Sequence, residues 1–141
     1  MKAILLAAGK GTRISRMVQD VPKSTLPING LPLIRHTAQM LLDEGMEVIV
    51  CVGYRREDVE TALEGLAVKY YFNPFYDVTN SIASLWFAKN EMNDDMLIMN
   101  ADVYFSKELL HKMLADKNEV VMAMDTGRIE VGDYFFQVIN G

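Results

Sequence analysis

Residues 3–13, AILLAAGKGTR, run a continuous apolar segment straight into a loop of two glycines, a lysine, a threonine and an arginine. Ala3 to Ala8 contains no polar residue, the pattern of a strand buried on both faces rather than one with a wet side. Gly9-Lys10-Gly11-Thr12-Arg13 then offers backbone N–H groups with few side chains in the way. Glycine reaches the positive φ angles that turn successive N–H groups toward one point, forming a nest that attracts anions. Arg13 adds a planar fork that matches two phosphate oxygens. Lys23 lies beyond the loop, directly after Pro22, whose fixed φ stiffens the approach. A lone GxG is a weak signal and often marks a solvated turn, but the pairing with Arg13 and Lys23 favours an anion site.

Two familiar phosphate loops are excluded. A Walker loop needs Gly-x-x-x-x-Gly-Lys-Ser/Thr, which the chain lacks. The dinucleotide fingerprint needs a third glycine where Ile14 stands and a helix that starts at once.

Outward from this segment, strand-like and helix-like stretches alternate. Gly9 to Gly30 is long, polar and punctuated by Pro22 and Pro27, so it reads as a loop, and loops of that length in compact domains are commonly functional or disordered. Pro32 stands where a first helical position would be, Leu33, Ile34, Thr37, Ala38, Leu41 and Leu42 follow at helical spacing, and Gly45 supplies a stop. EVIVCV at 47–52 reads as a second buried strand, 57–64 as a short helix and 67–72 as a third strand. NPFYDVT at 73–79 is a second loop. A helix is expected over 81–89 with Ile82, Leu85, Trp86 and Ala88 inward, and a fourth strand over 95–99. Ser106 can cap a helix whose inner face is Leu109, Leu110, Met113 and Leu114. Fifth and sixth strands are expected at 119–124 and 134–139.

This alternation predicts an α/β fold in three layers, a mostly parallel sheet with helices on both faces and right-handed crossovers. Ligands of such open sheets collect outside the carboxyl ends of the strands. The chemistry-bearing residues fall there: Gly9 to Arg13 after strand one, Gly53 and Tyr54 after strand two, Asn73 after strand three, Asn100 and Asp102 after strand four.

Composition bounds the rest. The chain has 141 residues, half of them hydrophobic and 23% charged, as in one globular domain. A net charge of −5 argues against a nucleic-acid groove. A single cysteine, Cys51, allows no internal disulfide and argues against a zinc cluster; mid-strand, it reads as core rather than nucleophile. No stretch approaches the length of a membrane span, and no signal-peptide pattern opens the chain, so a cytoplasmic location is the expectation.

LLAAGKGTR, followed by Lys23 within VPKSTLPINGLPLI, closely resembles the signature of the nucleotidyltransferases that activate sugar phosphates and related phosphomonoesters, roughly L-A-A/G-G-x-G-x-R with a later P-K. The likeness continues through Gly53-Tyr54, NPFYDVTNSIASLW and NADVYF around Asp102, and spans essentially the whole chain. NSIASLW looks more like the phosphocholine and inositol-phosphate cytidylyltransferase-like branch than the glucose-1-phosphate branch, which commonly carries Gly-Thr-Ala there. The resemblance implies a Rossmann-like nucleotidyltransferase (GT-A-like) fold. It also implies transfer of a nucleoside monophosphate from a triphosphate, CTP first, to a phosphomonoester such as phosphocholine, a sugar phosphate or inositol phosphate, with magnesium as cofactor and pyrophosphate leaving.

By that resemblance, the backbone of Leu6, Ala7, Ala8 and Gly9 would face the nucleobase, and Gly11, Thr12 and Arg13 the triphosphate. Arg13 and Lys23 would be catalytic, Lys23 bridging the α-phosphate and the incoming phosphate. Gly53 and Tyr54 would line the nucleotide site, Asn80 and Ser81 would meet the nucleoside, and Asp102 would bind magnesium. A phosphate nucleophile is already ionised at neutral pH, so His36 and His111 need no catalytic role. Plainer readings stand beside these. Asp102 can simply cap a turn, Asn80 and Ser81 can cap the next helix, Lys10 can be a solvated charge, and Trp86 reads as core. Tyr104, Phe105 and Tyr134 supply aromatic faces able to hold a quaternary ammonium, a lesser hypothesis.

Family members run considerably longer, and their later portion completes the acceptor pocket. Residues 1–141 therefore read as the N-terminal, nucleotide-binding portion of a C-terminally truncated nucleotidyltransferase domain, a fragment of a longer chain. The alternative is a short form completed by another subunit, which leaves homo-oligomerisation open. Asp133 resembles the start of the family's D-x-M-K-V strand, although Phe135, Phe136 and Gln137 replace much of that pattern. The competing function is a non-catalytic nucleotide-binding or regulatory module of the same fold; retention of Arg13, Lys23 and Asp102 favours the enzyme.

Overall fold

The structure, a computed structural model, describes residues 1–10 and 21–125. They fall into two compact units, Met1–Tyr104 and a second beginning at Phe105. In the first, β1 (Lys2–Ala7) is followed by a small hairpin of β2 (Pro27–Ile28) and β3 (Leu31–Pro32). Then come α1 (Leu33–Asp43), β4 (Glu47–Val52), α2 (Arg56–Ala62), β5 (Val68–Phe72), α3 (Ala83–Phe87) and β6 (Met96–Asn100). β5, β4, β1 and β6 form one four-stranded sheet in that order, and all its pairings are parallel. This is the parallel sheet with covering helices that the alternation predicts.

The apolar runs explain the burial. Ile4 pairs with Ile49 and Leu6 with Cys51, so these four share one face of the pleat. Ile4, Ile49 and Cys51 are buried together with Ala88, and Leu85 packs against them, which lays α3 on that face. Ala3, Leu5, Val48 and Val50 occupy the opposite face and are also fully buried. α1 packs on β4 and on α2, and its Ile34, Ala38 and Leu41 are fully buried. Each such side chain withdrawn from water is worth about 1.5–3 kcal/mol, so a sheet apolar on both sides is stable only between two layers.

α1 ends in a Schellman motif, with Gly45 N–H donating to the Leu42 carbonyl (2.9 Å) and Met46 N–H to the Leu41 carbonyl (3.1 Å). The turn is tight, so α1 runs antiparallel to β4 and its N-terminus lies toward the carboxyl ends of the strands. In the second unit, α4 (Lys107–Ala115) begins as expected, with the Ser106 hydroxyl accepting from Leu109 N–H at 3.3 Å.

Four expectations change. Asn29 and Gly30, both at positive φ, close the β2–β3 hairpin inside the expected 9–30 loop, as a type I′ turn does. Pro32 consequently ends β3 as the α1 N-cap instead of opening the helix. Trp86 and Ile82 are exposed, at 67% and 66%, rather than inward. Leu85 and Ala88 do face the core as expected, and they are joined by the buried Ser84, whose carbonyl lies 3.5 Å from the Cys51 thiol. Trp86 instead carries the Lys89 ammonium over its ring. Residues 119–125 form no strand; Val120 is exposed, and without a ladder partner an extended segment gains nothing from pairing. The expected strand at 134–139 lies outside the described residues.

Candidate nucleotide site

The register of the sheet aligns its strand ends. Leu6 pairs with Asn100, Ala7 with Val52 and Val52 with Phe72. The pairing carries on past the strands, with Ala101 N–H donating to the Leu6 carbonyl (3.0 Å), Tyr54 N–H to Ala8 (3.0 Å) and Asn73 N–H to Val52 (2.9 Å). Asp102, Ala8, Gly53 and Asn73 therefore stand in one row across the carboxyl edge. With neighbouring strands about 4.8 Å apart, three gaps span about 14 Å, roughly the reach of one extended nucleotide.

Each candidate has a definite place in or near this row. The carbonyls of Leu6 and Ala8 each accept a sheet bond, and each keeps a second lone pair. Gly9 is exposed, and a Cβ built on it meets nothing within 4 Å. Among the described residues, nothing there makes a steric demand for glycine. Gly53 is the reverse. Its Cβ would lie 2.6 Å from the Tyr76 Cβ and 2.8 Å from the Ala8 carbonyl oxygen, so the 73–81 loop can press onto β4 and β1 only where no side chain intervenes. Tyr54 is half-buried, its ring 6.2 Å from that of Tyr76. Lys10, which reads from sequence as a solvated charge, is exposed but stands 5.7 Å over the Tyr76 ring.

Lys23 opens a 3-10 turn, Lys23–Thr25. The Lys23 carbonyl accepts from Leu26 N–H (3.1 Å), and the Leu26 carbonyl from Leu33 N–H (2.9 Å), the first residue of α1. The Thr25 hydroxyl donates to the Pro22 carbonyl at 2.8 Å, and Ser24 is buried. These bonds tie Lys23 to the N-terminal end of α1, on the same side of the sheet as the row. His36 Nε2 lies 2.8 Å from the Ile28 carbonyl and holds the hairpin to α1, a structural task consistent with its having no catalytic one.

Asn80 and Ser81 are exposed on the 73–84 segment. The Asn80 side-chain oxygen accepts from Ala83 N–H at 3.3 Å, so it does cap the entry to α3; its amide group is the end left to reach a ligand. Asp102 is exposed, beside β1 in the row. Tyr104, also exposed, lies two residues further along. Gly11, Thr12, Arg13, Asp133 and Tyr134 lie outside the described residues. Asn73 and Tyr76 are the residues whose part the sequence reading understated. The signal was present in NPFYDVT, since asparagine before proline is typical turn chemistry, but the burial of Asn73 depends on tertiary contacts.

Among the described residues no group of three His, Cys, Asp or Glu side chains could hold a metal ion unaided. Magnesium needs no such cage, because it is commonly bound by one or two carboxylates plus substrate phosphates. Asp102, exposed just past the carboxyl end of β6, suits that arrangement. Among the described residues no helix is long and apolar enough to cross a membrane.

A parallel sheet with Ala8, Gly53, Asn73 and Asp102 along its carboxyl edge is an open α/β fold of the Rossmann-like nucleotidyltransferase type. The chain belongs to the family of the MobA-like NTP transferase domain, which matches residues 3–134. It is 36% identical over 115 residues to a choline-phosphate cytidylyltransferase of Streptococcus pneumoniae, covering 81% of this chain and 50% of that one. A solved CTP:phosphocholine cytidylyltransferase structure from the same species superposes with a TM-score of 0.66 at 34% identity, over 72% of this chain and 44% of that one. The inositol-1-phosphate CTP transferase of T. maritima gives a TM-score of 0.65 at 25% identity, over 84% and 49%. The chain spans about half the length, or less, of these relatives.

Proposed function

We propose that these residues are the nucleotide-binding portion of an enzyme that transfers a nucleoside monophosphate, CMP from CTP by preference, to a small phosphomonoester. The observation that carries this reading is the row of Asp102, Ala8, Gly53 and Asn73, which brings four loops to one edge in a chain whose relatives include cytidylyltransferases. Phosphocholine, inositol phosphate and sugar phosphates are the acceptor class.

In this reading the acceptor's phosphate oxygen attacks the α-phosphorus, and the bond to the β-phosphate oxygen breaks as pyrophosphate leaves. Two anions must approach, so most of the catalysis is cationic stabilisation of the developing charge. Gly11, Thr12 and Arg13 hold the triphosphate, and Lys23, fixed by the Pro22–Leu26 turn, neutralises the α-phosphate as the new bond forms. Asn80, Ser81 and the backbone of Leu6 to Gly9 orient the nucleoside, with Gly53 and Tyr54 beneath it. Asp102 is the residue that would hold magnesium, whose contribution when bound is to neutralise phosphate charge.

The test is pyrophosphate release by the full-length protein with CTP, UTP, GTP and ATP against phosphocholine, inositol phosphate and glucose 1-phosphate. Release that depends on one triphosphate and one acceptor is the expected result. Triphosphate binding without release under any pairing would replace this reading with that of a binding module.

A further inference from the structure

Asn73 is 1% exposed, among the few polar side chains in the interior. Its amide group donates to the Thr79 hydroxyl and to the Ser84 hydroxyl, each at 3.1 Å. Its side-chain oxygen accepts from Phe75 N–H at 2.9 Å, and its own N–H extends the β4–β5 ladder onto the Val52 carbonyl. One residue thus joins the end of β5 to the beginning, the closing point and the far anchor of the 73–84 segment. Thr79 completes the circuit, its hydroxyl donating to the Phe75 carbonyl at 2.7 Å. Asn80 and Ser81 sit between the two anchor points, Thr79 and Ser84. From below, Tyr76 of the same segment rests against Gly53 and Ala8. The exposed polar pair is therefore held from inside by a buried amide and from beneath by strand backbone.

A buried amide with both donors and its acceptor engaged specifies one conformation, since any other leaves a polar group unpaired in the interior. An unconstrained loop would have to be ordered by the ligand, at the ligand's expense in affinity.

We propose that Asn73 is a positioning residue for nucleoside recognition, acting through Thr79 and Ser84 to present Asn80 and Ser81 to the sugar and base; this rests on the nucleotidyltransferase reading above. Its effect is confined to the nucleoside end of the ligand. In that reading the phosphate end belongs to Gly11, Thr12 and Arg13, whereas the hydrogen bonds of Asn73 run to Val52, Phe75, Thr79 and Ser84.

The experiment measures binding of CTP with magnesium, and of inorganic pyrophosphate with magnesium, by calorimetry on the full-length protein, alongside unfolding midpoints and kcat and KM. Asn73→Ala removes the whole network. Thr79→Val removes one hydroxyl at an exposed position and keeps the shape, so it remains informative if Asn73→Ala fails to fold. Thr79→Val is expected to weaken CTP binding about tenfold, to raise KM rather than lower kcat, and to leave pyrophosphate binding unchanged. Thr79→Ser, which restores the hydroxyl, is expected to recover CTP affinity. A lowered unfolding midpoint with CTP affinity within about twofold of wild type would overturn the proposal and leave Asn73 a purely structural residue. Equal loss of CTP and pyrophosphate affinity would also overturn it. Wild-type protein that binds pyrophosphate but no nucleoside triphosphate would sink the nucleotidyltransferase reading and this one together.

Discussion

Gly53 and Tyr76 touch through backbone and Cβ alone: a methyl group on Gly53 would stand 2.6 Å from the Tyr76 Cβ. The other neighbours, the Ala8 carbonyl oxygen at 2.8 Å and the Ala8 Cβ at 2.9 Å, are equally unable to swing aside. Gly53→Ala must therefore shift either the 73–81 loop or the end of β1. Overpacking of this kind costs about 1–3 kcal/mol, and both displacements disturb the proposed nucleotide edge. The substitution is expected to lower the urea midpoint and to weaken CTP binding in the same protein. An unchanged midpoint with unchanged affinity would show that the contact relaxes freely.

Asp102 offers the opposite case, an exposed residue with no packing task. Asp102→Asn keeps its shape and removes its charge. Surface changes of this sort move stability by about 0.5 kcal/mol or less, whereas loss of a group stabilising transition-state charge costs about 100-fold or more in turnover. Pyrophosphate release should fall by that factor while the unfolding midpoint holds. A rate unchanged at every magnesium concentration would remove Asp102 from the reaction and return it to the role of a turn residue.

Lys23 separates the two kinds of contribution within one turn. Its backbone anchors the 22–26 turn to α1, while its side chain is only half-buried. Lys23→Met preserves the apolar stem and discards the ammonium, so the turn should persist. The expected result is a fall of about 100-fold in kcat with a near-native midpoint. Ser24→Leu, aimed at the buried neighbour, should reduce stability instead. A kcat unaffected by Lys23→Met would place the positive charge for the reaction elsewhere.

These predictions rest on a site that was legible in unequal parts. β1 and β4 could be placed within a residue because strands buried on both faces are written as unbroken apolar runs such as AILLAA and VIVCV, β5 and β6, only partly buried, were placed as well by the alternation with helices, and the parallel order then puts Gly9, Gly53, Asn73 and Asp102 at one edge. The hairpin at 27–32 was hidden by Pro27, which read as loop punctuation, and by Pro32, which read as the first position of a helix, although Asn29-Gly30 is a strong hairpin turn. Trp86 misled because helical spacing was read with the wrong face inward: Ser84, Leu85 and Ala88 meet the core, and Ile82 and Trp86 point outward. Asn73 illustrates a further limit, since nothing local distinguishes an asparagine that ends a strand from one whose amide organises a loop from within.

Glu91 gives the fold a measurable pH signature away from the site. Its carboxylate accepts from the Lys2 ammonium at 2.7 Å and from the Tyr71 hydroxyl at 2.7 Å, and Lys69 joins from the other side while also pairing with Glu47. The bond from Lys2, and then that from Tyr71, hold the Glu91 carboxyl down from 4.5 to about 2. The same hydrogen bond pushes the Tyr71 hydroxyl upward. A carboxyl whose pKa is depressed in the folded state binds fewer protons there than in the unfolded chain, so stability rises with pH across the interval between the two values. The contribution of Glu91 is therefore fully present above about 4.5 and is lost as the pH falls toward about 2. Glu91→Gln cannot ionise and lacks it at every pH. The expected outcome is a midpoint below that of wild type at pH 7, with the gap constant down to the upper value and closing through the interval. Thermal unfolding of both proteins across that range checks it; a gap that stays as wide at the acid end as at neutrality would show that ionisation of Glu91 is not the source of the difference.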